Sequence, residues 1–162
     1  MYDLFSKLQI VRQSFFVFLA HFSKIFCTML KKRTYRVAVI ATEETTAQLL
    51  AAVIDGCCNI VVCTTNESEF RSLLSIIEFD LVVVATAALH NDTEHLMTTI
   101  AAIRRTQASI FVVARHLSVT TTLQLLSNGV IQCMSFPINL YRLRRKVREQ
   151  LSRYEWRNEA VS

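Results

Sequence analysis

Glycine and proline are almost missing from this chain. Two Gly and one Pro in 162 residues leave no glycine-rich loop, so nucleotide-phosphate cradles on the Rossmann or P-loop plan are excluded. The same scarcity leaves little room for disordered linkers and implies a helix-rich chain of one domain plus an appendage. No C-x-x-C pair occurs among Cys27, Cys57, Cys58, Cys63 and Cys133. Cys57 and Cys58 are adjacent, too close for an ordinary mutual disulfide. An odd number without metal spacing reads as reduced thiols in a cytosolic compartment, several of them inside the core. No cysteine is followed by a His-and-acid arrangement, so nucleophilic catalysis is not expected. A long uncharged run is lacking as well. Between Arg12 and Lys24 lie eleven uncharged residues, against the roughly 20 that a bilayer span needs. No small-x-small site follows, and Lys31-Lys32-Arg33 leads straight on. Neither a membrane span nor a cleaved signal is therefore expected.

What is present falls into two parts. Residues 1–33 carry Leu4, Leu8, Val11, Phe15, Phe18, Phe22, Ile25 and Met29 at alternating steps of four and three. That is the heptad seam of a packed helix. Phe5, Leu19 and Phe26 widen it on one side. One continuous helix of this length would run about 45 Å at ~1.5 Å per residue, longer than a small domain is wide. We expect it to project and its stripe to need a cover. Self-association through a coiled coil or bundle, or docking into a protein partner, is the first expectation. Folding back on its own domain is a second, and an interfacial membrane anchor a third. Phe15-Phe16-Val17-Phe18-Leu19 keeps the membrane surface in play.

From Arg36 onward the period changes. Val37–Ile40, Ile60–Cys63, Leu81–Val84 and Ile110–Val113 are short, largely β-branched runs with almost no alternation. Strands apolar on both sides belong to a parallel sheet covered on both faces. Helical stretches separate them, at about Thr45–Ile54, Glu67–Ile77, Asp92–Arg105 and Val119–Ser127. Val130–Met134 and Leu140–Tyr154 complete the set as fifth strand and fifth helix. Asn66 and the Asn91-Asp92-Thr93-Glu94 run supply caps and first-turn acids at two helix starts, and Asn128-Gly129 closes another. A repeated β-α unit implies right-handed crossovers and a doubly wound five-stranded parallel sheet.

Four segments of this repeat resemble the receiver domains of two-component response regulators. Arg36-Val37-Ala38-Val39-Ile40-Ala41-Thr42-Glu43 is similar to their first strand and its acidic pair. Phe79-Asp80-Leu81-Val82-Val83-Val84-Ala85 is similar to the phospho-acceptor strand. Ser109-Ile110-Phe111-Val112-Val113-Ala114-Arg115 resembles the strand that ends on a switch hydroxyl, and Gly129 to Pro137 the segment that ends on Lys-Pro. The resemblance implies strand order 2-1-3-4-5, a receiver-like domain over 34–157 and a tail at 158–162. It also implies that the acidic pair falls on Ala41 and Thr42, the acceptor on Ala85, the switch hydroxyl on Ala114 and the lysine on Phe136. None of these offers the carboxylates with which the family holds magnesium. An aromatic at 136 beside Ala85 and Ala114 would fill the old pocket with apolar volume.

We therefore expect a non-catalytic pseudo-receiver: a protein–protein interaction, scaffold or localisation module in signalling or assembly, with no phosphotransfer and no cofactor. Its expected place is the cytoplasm, with the inner face of the membrane as the alternative. Two other functions stay open. One is sensing of a small uncharged ligand in the emptied pocket near Ala41, Ala85 and Phe136. The other is nucleic-acid binding through the basic C-terminal helix, where Arg142, Arg144, Arg145 and Arg148 crowd together. The net charge of +5 is modest, and a solvated helix face accounts for that run, so nucleic acid is not the expected partner. Within His90, Asp92, Glu94 and His95, His90 and Glu94 offer two ligands on one helical face if the helix begins early enough, with His21 and His116 elsewhere. A zinc site takes three or four, so no metal is expected.

Overall fold

The structure, a computed structural model, describes residues 34–86 and 89–159, all within the unit Thr34–Ser162. The expected seam from Leu4 to Met29 lies outside the described residues. Strands β1 (Arg36–Ala41), β2 (Ile60–Thr64), β3 (Leu81–Thr86), β4 (Ser109–Ala114) and β5 (Gln132–Ser135) alternate with helices α1 (Glu44–Asp55), α2 (Glu67–Ile76), α3 (Leu89–Arg104), α4 (Val119–Ser127) and α5 (Leu140–Glu159). All strand pairs are parallel, in the order β2-β1-β3-β4-β5. This is the doubly wound fold and the strand order expected.

The unalternating apolar strands explain the layers. Side chains of successive residues point to opposite faces, and β3 and β4 are buried along their whole length. On one face Ile40, Val82, Val84, Ile110 and Val112 pack with Phe70 of α2, Ile100 and Ile103 of α3, and Leu125 of α4. On the other, Val37, Val39, Leu81, Val83, Phe111 and Val113 pack with Leu50 and Ile54 of α1 and with Leu143, Val147 and Leu151 of α5. Helix α5 thus docks on the sheet through Leu143, Val147 and Leu151. The register is pinned at the amino edge by Asp80. Its carboxylate accepts the Arg36 N–H at 2.9 Å, its own N–H donates to the Arg36 carbonyl at 2.9 Å, and its carbonyl accepts from Ser109 N–H at 3.0 Å.

Local signals act as the chemistry of the residues dictates. The Asn66 side chain accepts from the N–H groups of Ser68 and Glu69 and caps α2. Ser118 does the same for α4 through Thr121. At the far end of α4, Gly129 adopts φ 88°, a left-handed conformation that costs glycine nothing. Gly129 N–H donates to the Leu126 carbonyl and Val130 N–H to the Leu125 carbonyl, both at 3.1 Å. Buried Val130 packs in the same cluster as Leu125. This is a Schellman closure with its hydrophobic contact. It also corrects the expected fifth strand: Val130 belongs to the helix stop, and β5 begins at Gln132.

Two further expectations are corrected. Helix α3 starts at Leu89, so Asn91 and Asp92 sit in its first turn instead of preceding it; acids are favourable in either place because both lie at the positive end of the helix. The cysteines are less buried than expected. Cys57, Cys58 and Cys133 are half-buried, Cys63 is exposed, and all four are free thiols.

Two substitutions test this assignment by urea unfolding. Asn66→Ala is expected to lose about 1 kcal/mol through the cap alone. Leu143→Ala, at a fully buried site, is expected to lose about 2–5 kcal/mol with the cavity it leaves.

Candidate functional site at the carboxyl edge of the sheet

Open parallel sheets present their binding groups where the strands end. Here β1 and β3 end side by side: Ala41 is in register with Ala85, and Thr42 N–H donates to the Ala85 carbonyl at 3.2 Å. Thr86 lies opposite Ala114, and Ala114 opposite Ser135. Phe136 N–H donates to the Ala114 carbonyl at 2.9 Å, and the Phe136–Pro137 peptide is cis. Ala41, Ala85 and Ala114 are all buried.

These residues do not converge on one cavity. A hollow of ≈ 40 Å³ is lined by Thr42, Glu43, Thr46, Ala85, Thr86, Arg115 and Phe136. Ala41 and Ala114 do not line it. Ala85 and Phe136 belong with the α1–α5 face, whereas Ala114 is packed into the opposite face. The expected filling of this space by Phe136 is therefore partial: the ring is half-buried and forms one wall. Thr46 and Arg115 reach the hollow from α1 and from the residue after β4. Neither was singled out from the sequence, because only the strand register brings them to Ala85.

A second hollow of ≈ 80 Å³ opens beside the first, toward α2 and α3, and shares Thr42, Ala85 and Thr86 with it. Ile40, Val84 and Leu96 give it an apolar floor, and Thr65, Glu67, His95 and Thr99 a polar rim. Glu67 joins α2 to α3 there. Its Oε1 accepts from Arg71 Nη2 at 2.6 Å and from the Thr99 hydroxyl at 3.4 Å, and its Oε2 lies 2.8 Å from His95 Nε2. The Arg71 hydrogen bond, against the opposing effect of burial and helped by the charges of His95 and Arg71 and by Thr99, holds the Glu67 carboxyl below its ordinary value.

The chemistry available is limited. Among the described residues no three His, Cys, Asp or Glu side chains are grouped to hold a metal ion. His90, Asp92, Glu94 and His95, the expected His and acid cluster, all fall in α3, with His95 committed to Glu67. Burial, reinforced by the charge of Cys57, pushes the Cys58 thiol up to about 11, and burial likewise raises Cys133. Thiols in this state are poor nucleophiles, because the thiolate is the reactive form.

Solved structures place this architecture. A response regulator from Thermotoga maritima aligns at a TM-score of 0.66 and 20% identity, over 74% of this chain and 99% of its own. The receiver domain of a Luxo repressor protein from Vibrio parahaemolyticus aligns at 0.68 and 16%, over 80% and 99%. A pilus assembly-related protein from Burkholderia pseudomallei aligns at 0.59 and 17%, over 72% and 91%. The fold is that of a receiver domain. No family model matches the chain, and no curated protein matches it.

A further surface feature is the basic fifth helix. Arg144 folds back over Gly56 at the end of α1, where a Cβ would run into its Nη2. Lys146 pairs with Glu149 at 3.0 Å and Arg145 with the same residue at 3.6 Å. Among the described residues Arg142 and Arg148 have no ion-pair partner. Fewer free cations face solvent than the run of arginines implies. No helix among the described residues is long and apolar enough to cross a membrane.

Glu67→Gln tests the α2–α3 tie. A lowered carboxyl pKa stabilises the fold above the ordinary value of 4.5 and loses that contribution as pH falls through the folded value. The substituted protein is therefore expected to melt below wild type at pH 7, and the gap to close on acidification beneath 4.5. Thermal melts across that range read it directly.

Proposed function

We propose that this chain is a receiver-fold module that has given up phosphotransfer and acts by contact, as an interaction or scaffold unit in signalling or assembly. One observation carries the proposal. At the paired ends of β1 and β3 stand Ala41, Thr42 and Ala85, and none can accept a phosphoryl group as an aspartate does or hold a magnesium ion. Among the described residues Glu43 is the lone carboxylate lining the adjoining hollow, and hard divalent cations need several oxygen ligands in fixed geometry. Without a phosphoryl group there is no differential binding energy to move the domain between two states, so its recognition surface is constant. The fold in a protein named for pilus assembly supports a role in assembly as well as in signalling.

Residues 1–33 supply the contact in this proposal. Their heptad stripe is the means of self-association or of docking to a partner protein, with the inner membrane face as the alternative surface. Domain 34–157 is the body, and 158–162 a tail.

Incubation of the full chain with acetyl phosphate and magnesium is expected to leave its intact mass unchanged. Ala85→Asp is expected to stay unmodified too, because Ala41 and Thr42 still offer no carboxylate for the metal. A stable phosphorylated adduct on wild type would sink the proposal. Light scattering of the full chain beside a version beginning at Arg33 addresses the contact. A defined oligomer that becomes monomeric on truncation is expected, whereas a full-length monomer would remove self-association.

A further inference from the structure

Thr86 is the residue at this edge whose chemistry the fold does not require. It ends β3, is 7% exposed, and follows Leu81-Val82-Val83-Val84-Ala85, where every other side chain is apolar. Comparably buried threonines nearby are bonded. The Thr64 hydroxyl donates to Glu69 at 2.5 Å, and that of Thr99 to Glu67 at 3.4 Å and to the His95 carbonyl at 3.1 Å. Among the described residues the Thr86 hydroxyl takes part in no hydrogen bond. That hydroxyl is open to the hollow, where water can satisfy it, and valine has the same shape without the polar group. Thr86 lines both hollows, so its hydroxyl meets whatever occupies them.

We propose that the ≈ 80 Å³ hollow between the ends of β1 and β3 and helices α2 and α3 binds a small uncharged hydrogen-bonding molecule, with the Thr86 hydroxyl as its polar anchor. Size sets the first limit: at ~10–15 Å³ for each water-sized occupant, the space takes about six non-hydrogen atoms. Charge sets the second. The carboxylate on the rim, Glu67, is already engaged by Arg71, His95 and Thr99. A cation entering would find that charge compensated, and an anion would find the cationic partners already taken. Ile40, Val84 and Leu96 on the floor complete the specification by accepting a short apolar body. The class is a small amide, alcohol or ketone. This site stands apart from the contact function and does not depend on it.

Three branched four-carbon molecules of similar size and different charge test the proposal: isobutyramide, isobutyrate and isobutylamine. Each is titrated into the isotope-labelled full chain and followed by backbone amide NMR. Isobutyramide is expected to produce saturable shifts at Ala85, Thr86, Leu96 and Thr99, with a Kd on the order of 1 mM. The two charged analogues are expected to bind about tenfold more weakly, for want of a free countercharge. Thr86→Val is expected to weaken isobutyramide about fivefold, the loss of one hydrogen bond, while its melting temperature without ligand stays close to wild type. Thr86→Ser, which keeps the hydroxyl, is expected to retain the affinity. Absence of a saturable shift with isobutyramide overturns the site, and tighter binding of isobutyrate or isobutylamine overturns the ligand class. Unchanged affinity in Thr86→Val removes the anchor. A valine variant that melts lower or fails to fold does so too, because the hydroxyl would then be structural.

Discussion

Strand β3, hydrogen-bonded to β1 on one side and β4 on the other and buried on both faces, is the constraint on which the rest of this structure depends. A strand with no solvent face allows no slip, since a shift of one residue would exchange the side chains that α1 and α5 cover with those that α2, α3 and α4 cover. Asp80 enforces the same register from the amino edge by tying the starts of β1, β3 and β4 together. What stands at the carboxyl edge is then decided residue by residue. Ala85 meets Ala41, and Thr86 meets Ala114.

The energetics of that edge follow from burial. Ala85 is 2% exposed. A carboxylate there would need a bound cation or several hydrogen bonds to offset its lost hydration. The neighbours that the pairing supplies are an alanine, a threonine and a backbone carbonyl. Alanine suits such a place, and small side chains at 41 and 85 leave the two hollows that Phe136 bounds on one side and Leu96 on the other. The edge thus offers the hydroxyls of Thr42 and Thr86 and no carboxylate at 41, 42 or 85. Both proposals start from this property and diverge from it: contact through the rest of the surface from the carboxylates that Ala41, Thr42 and Ala85 do not offer, and recognition of a neutral molecule from the Thr86 hydroxyl.

Much of the fold was legible because it rests on short-range chemistry. Unalternating runs such as Leu81–Val84 announce strands covered on both faces, Asn66 announces a helix start, and Gly129 a helix stop. The boundary errors came where one residue serves two elements. Val130 is apolar enough to read as strand, yet its N–H belongs to the closure of α4. Asn91 and Asp92 suit a cap and a first turn equally. The site was less legible. Ala41, Thr42, Ala85, Ala114 and Phe136 were placed at one edge by resemblance, but the face to which each side chain turns depends on pleat and register. For that reason Ala114 falls away from the hollow while Thr46 and Arg115 enter it. Thr86 carried no signal of its own, since a threonine closing a strand is ordinary until the partners of its hydroxyl are known.

The same limit applies to charge, and it bears on the scarcity of glycine. A cluster of arginines in sequence reads as a surface for an acidic partner, yet placement can assign a cation to the fold itself. Arg144 of α5 lies over Gly56, the residue that ends α1, and Arg104 of α3 lies against Gly129, with Nε 3.3 Å from where a Cβ would stand. Each guanidinium thus sits at the carboxyl end of a helix other than its own, where partial negative charge favours it. At Gly129 the backbone also requires glycine through its positive φ. At Gly56 it does not, because φ is −75°, and the close approach of Arg144 is what a side chain would obstruct. Both glycines of the chain therefore lie beneath arginines that join one helix to the end of another. Arg144, for one, contributes to the packing of α5 against α1 before it contributes to any binding surface.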